Sequence, residues 1–120
     1  MRRHYLIGRA SPDDLVAIVD RLRGLHAQVM SSVDLALLAR IDRLEQDAVT
    51  DALWRQRTLV KMWAMRGTLH LLPARDLPVY LGALCTYTHY LTQRWVTYFG
   101  ITREEIELVI ETVGEVLRGR

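Results

Sequence analysis

Hydrophobic residues recur at helical spacing in three stretches of the first half of the chain. The first stretch runs over about 12–22, where Ser11 suits a helix cap and Pro12 suits the first helical position. Two more stretches follow at about 33–41 and 45–55, with apolar residues three or four positions apart. The spacing predicts three short helices joined by short turns.

Two short apolar runs after the third helix predict a β-hairpin. They occupy about 58–72 and face each other across Arg66-Gly67-Thr68. Glycine supplies the backbone freedom that a tight reversal requires. Three short helices followed by a hairpin predict a winged helix-turn-helix unit over residues 1–73, with the hairpin as its wing.

The pattern changes beyond this hairpin, and residues 74–120 are expected to open a second unit. One helix is predicted to begin after Asp76, and Thr102 with Glu105 forms a capping box for the last helix. That last helix has a clear apolar stripe, which needs a partner surface. We therefore expect a mainly α fold with a small β-hairpin, in which a winged-helix unit is followed by the helical start of a second, truncated unit.

Composition excludes several classes of protein. Of 120 residues, 50% are hydrophobic and 25% are charged, which is typical of a folded globular domain and not of a disordered chain. No segment approaches the roughly 20 apolar residues that span a membrane, and the N-terminus does not resemble a secretory signal. A cytoplasmic protein is expected. Its single cysteine, Cys85, has apolar neighbours, which predicts a small buried side chain.

The candidate catalytic residues lie in the sequence G-L-H-A-Q at 24–28. In extended geometry His26 and Gln28 point the same way, and both side chains can bind one water molecule. His26 can also accept or donate a proton near neutral pH. The alternative is a loop histidine and glutamine that form only local hydrogen bonds.

Basic residues are the other candidates, because the net charge of +2 leans weakly toward nucleic acid. Arg23, Lys61 and Arg66 can contact DNA phosphates, each modestly and in a salt-dependent way. A role in surface solubility is the alternative for each. His70 alternates with leucines, which predicts a solvated strand face. No histidine has metal-ligand partners at suitable spacing and no dinucleotide fingerprint occurs, so neither a metal nor a cofactor is expected.

Three segments in this order change the interpretation. They are G-L-H-A-Q at 24–28, L-A-L-L-A-R at 35–40, and L-V-K-M-W-A-M-R-G-T-L-H-L-L-P-A-R-D-L-P at 59–78. Together they resemble the winged-helix DNA glycosylases of bacteria, the AlkZ-like or YcaQ-like proteins. The M-R-G-T-L-H block is the most specific part of this resemblance.

The resemblance implies tandem winged-helix units that bind double-stranded DNA carrying alkylated purines. It implies monofunctional excision of such bases, including the unhooking of interstrand crosslinks. The family's catalytic motif, glutamine-apolar-glutamine or glutamine-apolar-aspartate, maps onto His26-Ala27-Gln28, where Gln28 matches and His26 departs. In the same comparison Arg66 and Thr68 lie on the wing, nearer to DNA backbone contact than to catalysis.

Length is the main departure from the family, whose members are considerably longer. The chain therefore resembles an N-terminal portion, and we expect weak or absent excision from the 120-residue piece alone. Two other interpretations stay open at this point. One is a non-enzymatic winged-helix DNA-binding module. The other is an inactive fragment that packs through its last helix against another chain.

Overall fold

The computed structural model describes residues 4–119, which form a mainly α protein with one small sheet. The described helices are α1 (Leu15–Arg21), α2 (Met30–Leu38), α3 (Ala48–Trp54), α4 (Leu77–Cys85), α5 (Gln93–Phe99) and α6 (Arg103–Arg118). The described strands are β1 (Leu25–His26), β2 (Leu59–Trp63) and β3 (Leu69–Pro73). The predicted fold class, a winged helix-turn-helix unit followed by further helices, is confirmed. Contacts divide the chain into two compact units, with the division between Leu84 and Cys85.

The sheet of the first unit is antiparallel, with the order β1-β3-β2. Strands β2 and β3 form the predicted wing. Strand β1 was not predicted, and it adds a third member on the other side of β3. It pairs Leu25 with Leu71 and His26 with His70. A strand of two residues is too short for an alternating pattern to be read from the sequence.

Helices α1 to α3 enclose the core with one face of this sheet. The buried apolar residues that form one cluster are Ala10, Leu15, Ile18, Val19, Ala27, Val33, Leu37, Ile41, Val49, Ala52, Leu59 and Leu71. Within each helix these positions follow the spacing of three or four that predicted it. Burial of each large aliphatic side chain stabilises the fold by about 1.5–3 kcal/mol.

Helix α2 begins at Met30, three residues before the predicted start at 33. Val29 occupies the cap position, and Ser32 lies inside the first turn. Its Oγ donates to the carbonyl of Val29 at 2.6 Å. At the start of α1 the expected cap is present: Ser11 Oγ accepts from the backbone N–H of Asp13 at 3.4 Å and leads into a 3₁₀ turn.

The turn from α1 into β1 is set by two consecutive residues with positive φ. Arg23 has φ 58° and Gly24 has φ 98°. The N–H of Gly24 donates to the carbonyl of Val19 at 3.0 Å, and the N–H of Arg23 donates to that of Asp20 at 2.8 Å. This is the Schellman pattern of helix termination. A Cβ on Gly24 would lie 2.5 Å from Cδ2 of Leu72. The turn between α1 and β1 therefore lies so close to β3 that a side chain at residue 24 would overlap with Leu72.

The second unit is built from α5, α6 and a cluster of aromatic rings. His89 lies between Tyr87 and Trp95, with ring centroids 4.2 Å and 6.3 Å away. The predicted capping box of α6 is present: Thr102 Oγ1 accepts from the N–H of Glu105 at 3.2 Å, and Glu105 Oε2 accepts from the N–H of Thr102 at 2.7 Å.

The apolar stripe of α6 is exposed in the described chain, at Leu108, Val109, Ile110, Val113, Val116 and Leu117. Within residues 4–119, none of the helices is both long enough and apolar enough to cross a membrane.

Cys85 is a free and exposed thiol, so the prediction that it is buried is wrong. Its helix, α4, contains no buried residue, and both Val79 and Leu81 are exposed. Apolar neighbours in sequence predict burial only when the helix that carries them packs a face into a core.

The close approach at Gly24 makes a testable prediction. We expect Gly24→Ala to lower the free energy of unfolding by about 3 kcal/mol or more, because a left-handed backbone penalty adds to overpacking against Leu72. Gly67→Ala is the matched control, since Gly67 also has positive φ (68°) but a Cβ added to it would meet no atom within 4 Å. It should lose only about 1–2 kcal/mol. If urea denaturation shows the same loss of unfolding free energy for both variants, Leu72 moves aside at no cost.

Candidate active site

A buried alanine separates His26, the last residue of β1, from Gln28. Ala27 is fully buried, whereas His26 and Gln28 are both exposed. The N–H of Ala27 donates to the carbonyl of Leu69 at 2.8 Å, which keeps this segment extended along β3. Successive side chains of an extended segment point to opposite sides. Burial of Ala27 between two exposed residues is the alternation expected of an extended segment, and it is consistent with a common direction for His26 and Gln28.

The register of the sheet assigns the other candidates to faces, because cross-strand partners share a face. His26 pairs with His70, and His70 pairs with Met62. Lys61 pairs with Leu71, so it lies on the opposite face of the sheet. There it borders a groove lined by α2, α3 and β2. The structure thus does not place Lys61 on the face that carries His26.

His70 is buried, with 8% of its surface exposed, so the prediction of a solvated strand face is wrong. Its Nδ1 lies 2.9 Å from the carbonyl oxygen of Thr68, and its ring packs edge-to-face on that of His26, with centroids 5.7 Å apart. The error has a physical cause. Strand β3 is the central strand, and its residues are covered on both faces, as buried Leu71 and Leu72 show.

The tip of the wing is a 3₁₀ turn, Met65–Gly67, with Arg66 exposed at its centre. Arg66 has φ 56°, a left-handed conformation that is uncommon outside glycine. Thr68 is half-buried, and its Oγ1 donates to the carbonyl of Met65 at 3.1 Å. The Thr68 hydroxyl therefore closes the turn, while the Arg66 side chain is exposed at the tip beside that of Met65.

Arg23 lies two residues before β1, and its charge is already engaged. Its Nη1 is 3.2 Å from Oδ1 of Asp20, and Oδ2 of the same carboxylate is 2.7 Å from Nη2 of Arg75. Sequence reasoning missed Arg75, because its partner is 55 residues away and no local pattern links them. These are exposed ion pairs, so each contributes no more than about 1 kcal/mol.

Metal ligands are not grouped in the part of the chain that the structure describes. Between residues 4 and 119, no three or more histidine, cysteine, aspartate or glutamate side chains are grouped so that they could hold a metal ion.

Comparison with known proteins places this geometry in context. Residues 19–120 match the family described as DNA glycosylase AlkZ-like. The interstrand DNA cross-link repair glycosylase of Streptomyces sahachiroi is 32% identical over 119 residues, which are 99% of this chain and 32% of that protein. The solved structure of the Streptomyces sahachiroi DNA glycosylase AlkZ matches with a TM-score of 0.82 at 32% identity, over 98% of this chain and 31% of that one. The chain thus spans about a third of the length of these relatives.

The wing tip can be tested by a substitution that removes charge and relaxes the backbone together. We expect Arg66→Gly to weaken duplex binding and to lower the slope of log K against log salt by about one. Stability should stay the same or rise by about 1 kcal/mol, because glycine adopts positive φ without the penalty of a side chain.

Arg43→Gly is the matched control for this experiment. Arg43 has φ 53°, and 91% of its side chain is exposed, so the changes in charge and in backbone freedom are the same. Binding titrations over a range of salt concentrations compare the two variants. If both lose the same affinity, the effect reflects net charge alone and the wing tip does not contact DNA.

Proposed function

The chain belongs to the AlkZ-like DNA glycosylase family, and we propose from that membership that it carries the catalytic segment of a monofunctional DNA glycosylase. The proposed substrates are purines alkylated at N7 in double-stranded DNA, including those that form interstrand crosslinks. One observation carries the proposal. His26 and Gln28 are exposed on either side of buried Ala27, and these three residues are the ones onto which the resemblance maps the family's catalytic motif.

The chemistry requires little from the protein. Alkylation at N7 makes the purine cationic, so the base is already a good leaving group. The enzyme must hold a water molecule near C1′ of the sugar and stabilise the positive charge that develops there. As the bond between the base nitrogen and C1′ breaks, its electron pair leaves with the base, which becomes neutral. The water oxygen then bonds to C1′ and releases a proton.

His26 and Gln28 have different roles in this step. The amide oxygen of Gln28 can accept a hydrogen bond from the water and so orient it, but an amide is not a useful base. An imidazole nitrogen of His26 can accept the same kind of hydrogen bond and can also take the proton. Histidine in place of the usual glutamine therefore keeps the water-holding function and adds a proton acceptor.

The candidate DNA contacts are expected to contribute unequally to binding. Arg66 is the first phosphate contact, because it extends from the wing tip. Arg23 already forms an ion pair with Asp20, and Lys61 lies on the sheet face opposite to His26, so each is expected to contribute less. Thr68 supports the tip by closing its turn. The resemblance to glycosylases of bacteria, whose DNA lies in the cytoplasm, supports the proposal of a cytoplasmic bacterial enzyme.

Substitutions at the two candidate residues test the proposal. In the purified protein, His26→Ala should slow the release of 7-methylguanine from methylated duplex by about 10²–10⁴-fold, as expected for loss of a general base. Gln28→Ala should slow it by about 10–10²-fold, because the water is then poorly oriented. His26→Gln introduces the residue that the family motif has at this position. It should keep excision at a rate between those of the unaltered protein and His26→Ala, because glutamine orients the water but does not take its proton.

Gln56→Ala provides the control, because Gln56 is an exposed amide outside the candidate site. Alkali-induced strand breaks and a binding titration on undamaged duplex are measured for every variant. Unchanged excision by both alanine variants would exclude this site. Duplex binding by the unaltered protein without an abasic product would favour a non-enzymatic DNA-binding module. Neither binding nor breaks would favour an inactive fragment.

A further inference from the structure

His70 is a buried titratable side chain that has no role in the chemistry proposed for His26 and Gln28. His70 is 8% exposed and lies in the central strand of the sheet, directly across from His26. A buried polar side chain in a small core needs a hydrogen-bond partner, and His70 has one in the carbonyl of Thr68.

The two histidines face each other in the closer of the two kinds of antiparallel pair. The N–H of Ala27 donates to the carbonyl of Leu69, so 27 and 69 form a hydrogen-bonded pair. Hydrogen-bonded and non-hydrogen-bonded pairs alternate along an antiparallel ladder, which makes His26 and His70 a non-hydrogen-bonded pair. Side chains in such pairs approach most closely. The rings accordingly meet edge-to-face, with an interplanar angle of 89°.

The contact with Thr68 fixes which nitrogen of His70 carries a proton. A carbonyl oxygen only accepts hydrogen bonds, so Nδ1 at 2.9 Å from it must be the donor. A ring flip would replace this N–H by a carbon atom and break the bond. The ring of His70 is therefore held in one orientation, with its tautomer defined when the ring is neutral.

His26 has no comparable restraint of its own. The outer torsion of a histidine side chain has a broad, roughly two-fold profile, so an exposed imidazole readily exchanges the positions of its two nitrogens. The ring of His26 contacts the ring of His70. An imidazole packed edge-to-face on a fixed ring has fewer orientations than a free one.

We propose that His70 is a positioning residue, which holds the imidazole of His26 in the orientation that directs one nitrogen at the catalytic water. The inference rests on the proposed function of His26. His70 does not touch the substrate; it acts through His26.

The same contacts connect the site to the wing. The carbonyl of Thr68 accepts both the Nδ1–H of His70 and the backbone N–H of Ala64, the latter at 3.0 Å. Thr68 also closes the turn that presents Arg66. The turn that is proposed to meet DNA and the ring that orients His26 thus share one carbonyl group.

Substitutions at His70 separate positioning from a purely structural role. His70→Phe keeps the ring and its packing but loses the hydrogen bond that fixes its orientation. His70→Asn keeps a donor near the position of Nδ1 but loses the ring. Each should lower the single-turnover excision rate by about 10–10²-fold, because a misoriented base loses near-attack geometry. Duplex affinity should change by less than about twofold, since His70 is buried and its hydrogen bond is to the backbone of Thr68.

The decisive comparison places His70→Phe in the His26→Gln background. Glutamine has no ring to be packed edge-to-face, so the effect of His70→Phe on the excision rate should fall below about twofold there. A structural role would lower the rate by the same factor in both backgrounds, and that result would overturn the proposal. Denaturation midpoints are recorded for each variant, and if His70→Phe fails to fold, His70→Asn takes its place in the same double-mutant cycle.

Ring NMR of the histidines provides a readout that does not depend on excision. In the unaltered protein, His70 should show a protonated Nδ1, and the ring protons of His26 should carry a ring-current shift that disappears in His70→Asn. An unshifted His26 ring would overturn the positioning role, whatever the activity. A protein with these signals whose excision is unchanged by both His26→Ala and Gln28→Ala would refute the proposed function and leave the contact between the rings established.

Discussion

The hydrogen bond from the backbone of Ala27 to the carbonyl of Leu69 is the interaction on which the candidate site depends. It holds a segment of two strand residues against the centre of the sheet and so buries Ala27. The residues on either side of that alanine, His26 and Gln28, are both exposed. The same bond fixes the register that brings His26 onto His70. Without it, residues 24–28 would be an ordinary loop after a helix.

Sequence reasoning succeeded where the determinants are local. Apolar spacing predicted the three helices, the turn residues predicted the wing, and Thr102 with Glu105 predicted the start of α6. It failed where burial depends on distant partners. His70 is covered because it pairs with His26 of β1. The alternation of polar and apolar residues within 69–73 cannot indicate that pairing. The prediction for Cys85 failed for the opposite reason, because its helix buries no residue.

The candidate site shows the same division in a single segment. Spacing alone assigned His26 and Gln28 a common direction, and the structure supports that geometry through buried Ala27. Their catalytic role came from the family's motif and from no property of the spacing. The partner of His26 on β3 was not foreseen, because β1 itself was not. The motif thus identifies His26 and Gln28, whereas the pairing of β1 with β3 determines which side chains surround them.

The small size of β1 has a consequence for how the site forms and is lost. His26 and His70 are distant in sequence, so their pairing closes a long loop and belongs to the later contacts of folding. Once formed, a two-residue edge strand opens at a lower free energy than a helical core does. The helices can then persist while His26 leaves its partner. For such a site, the fraction of competent molecules is governed by local opening and not by the melting of the fold.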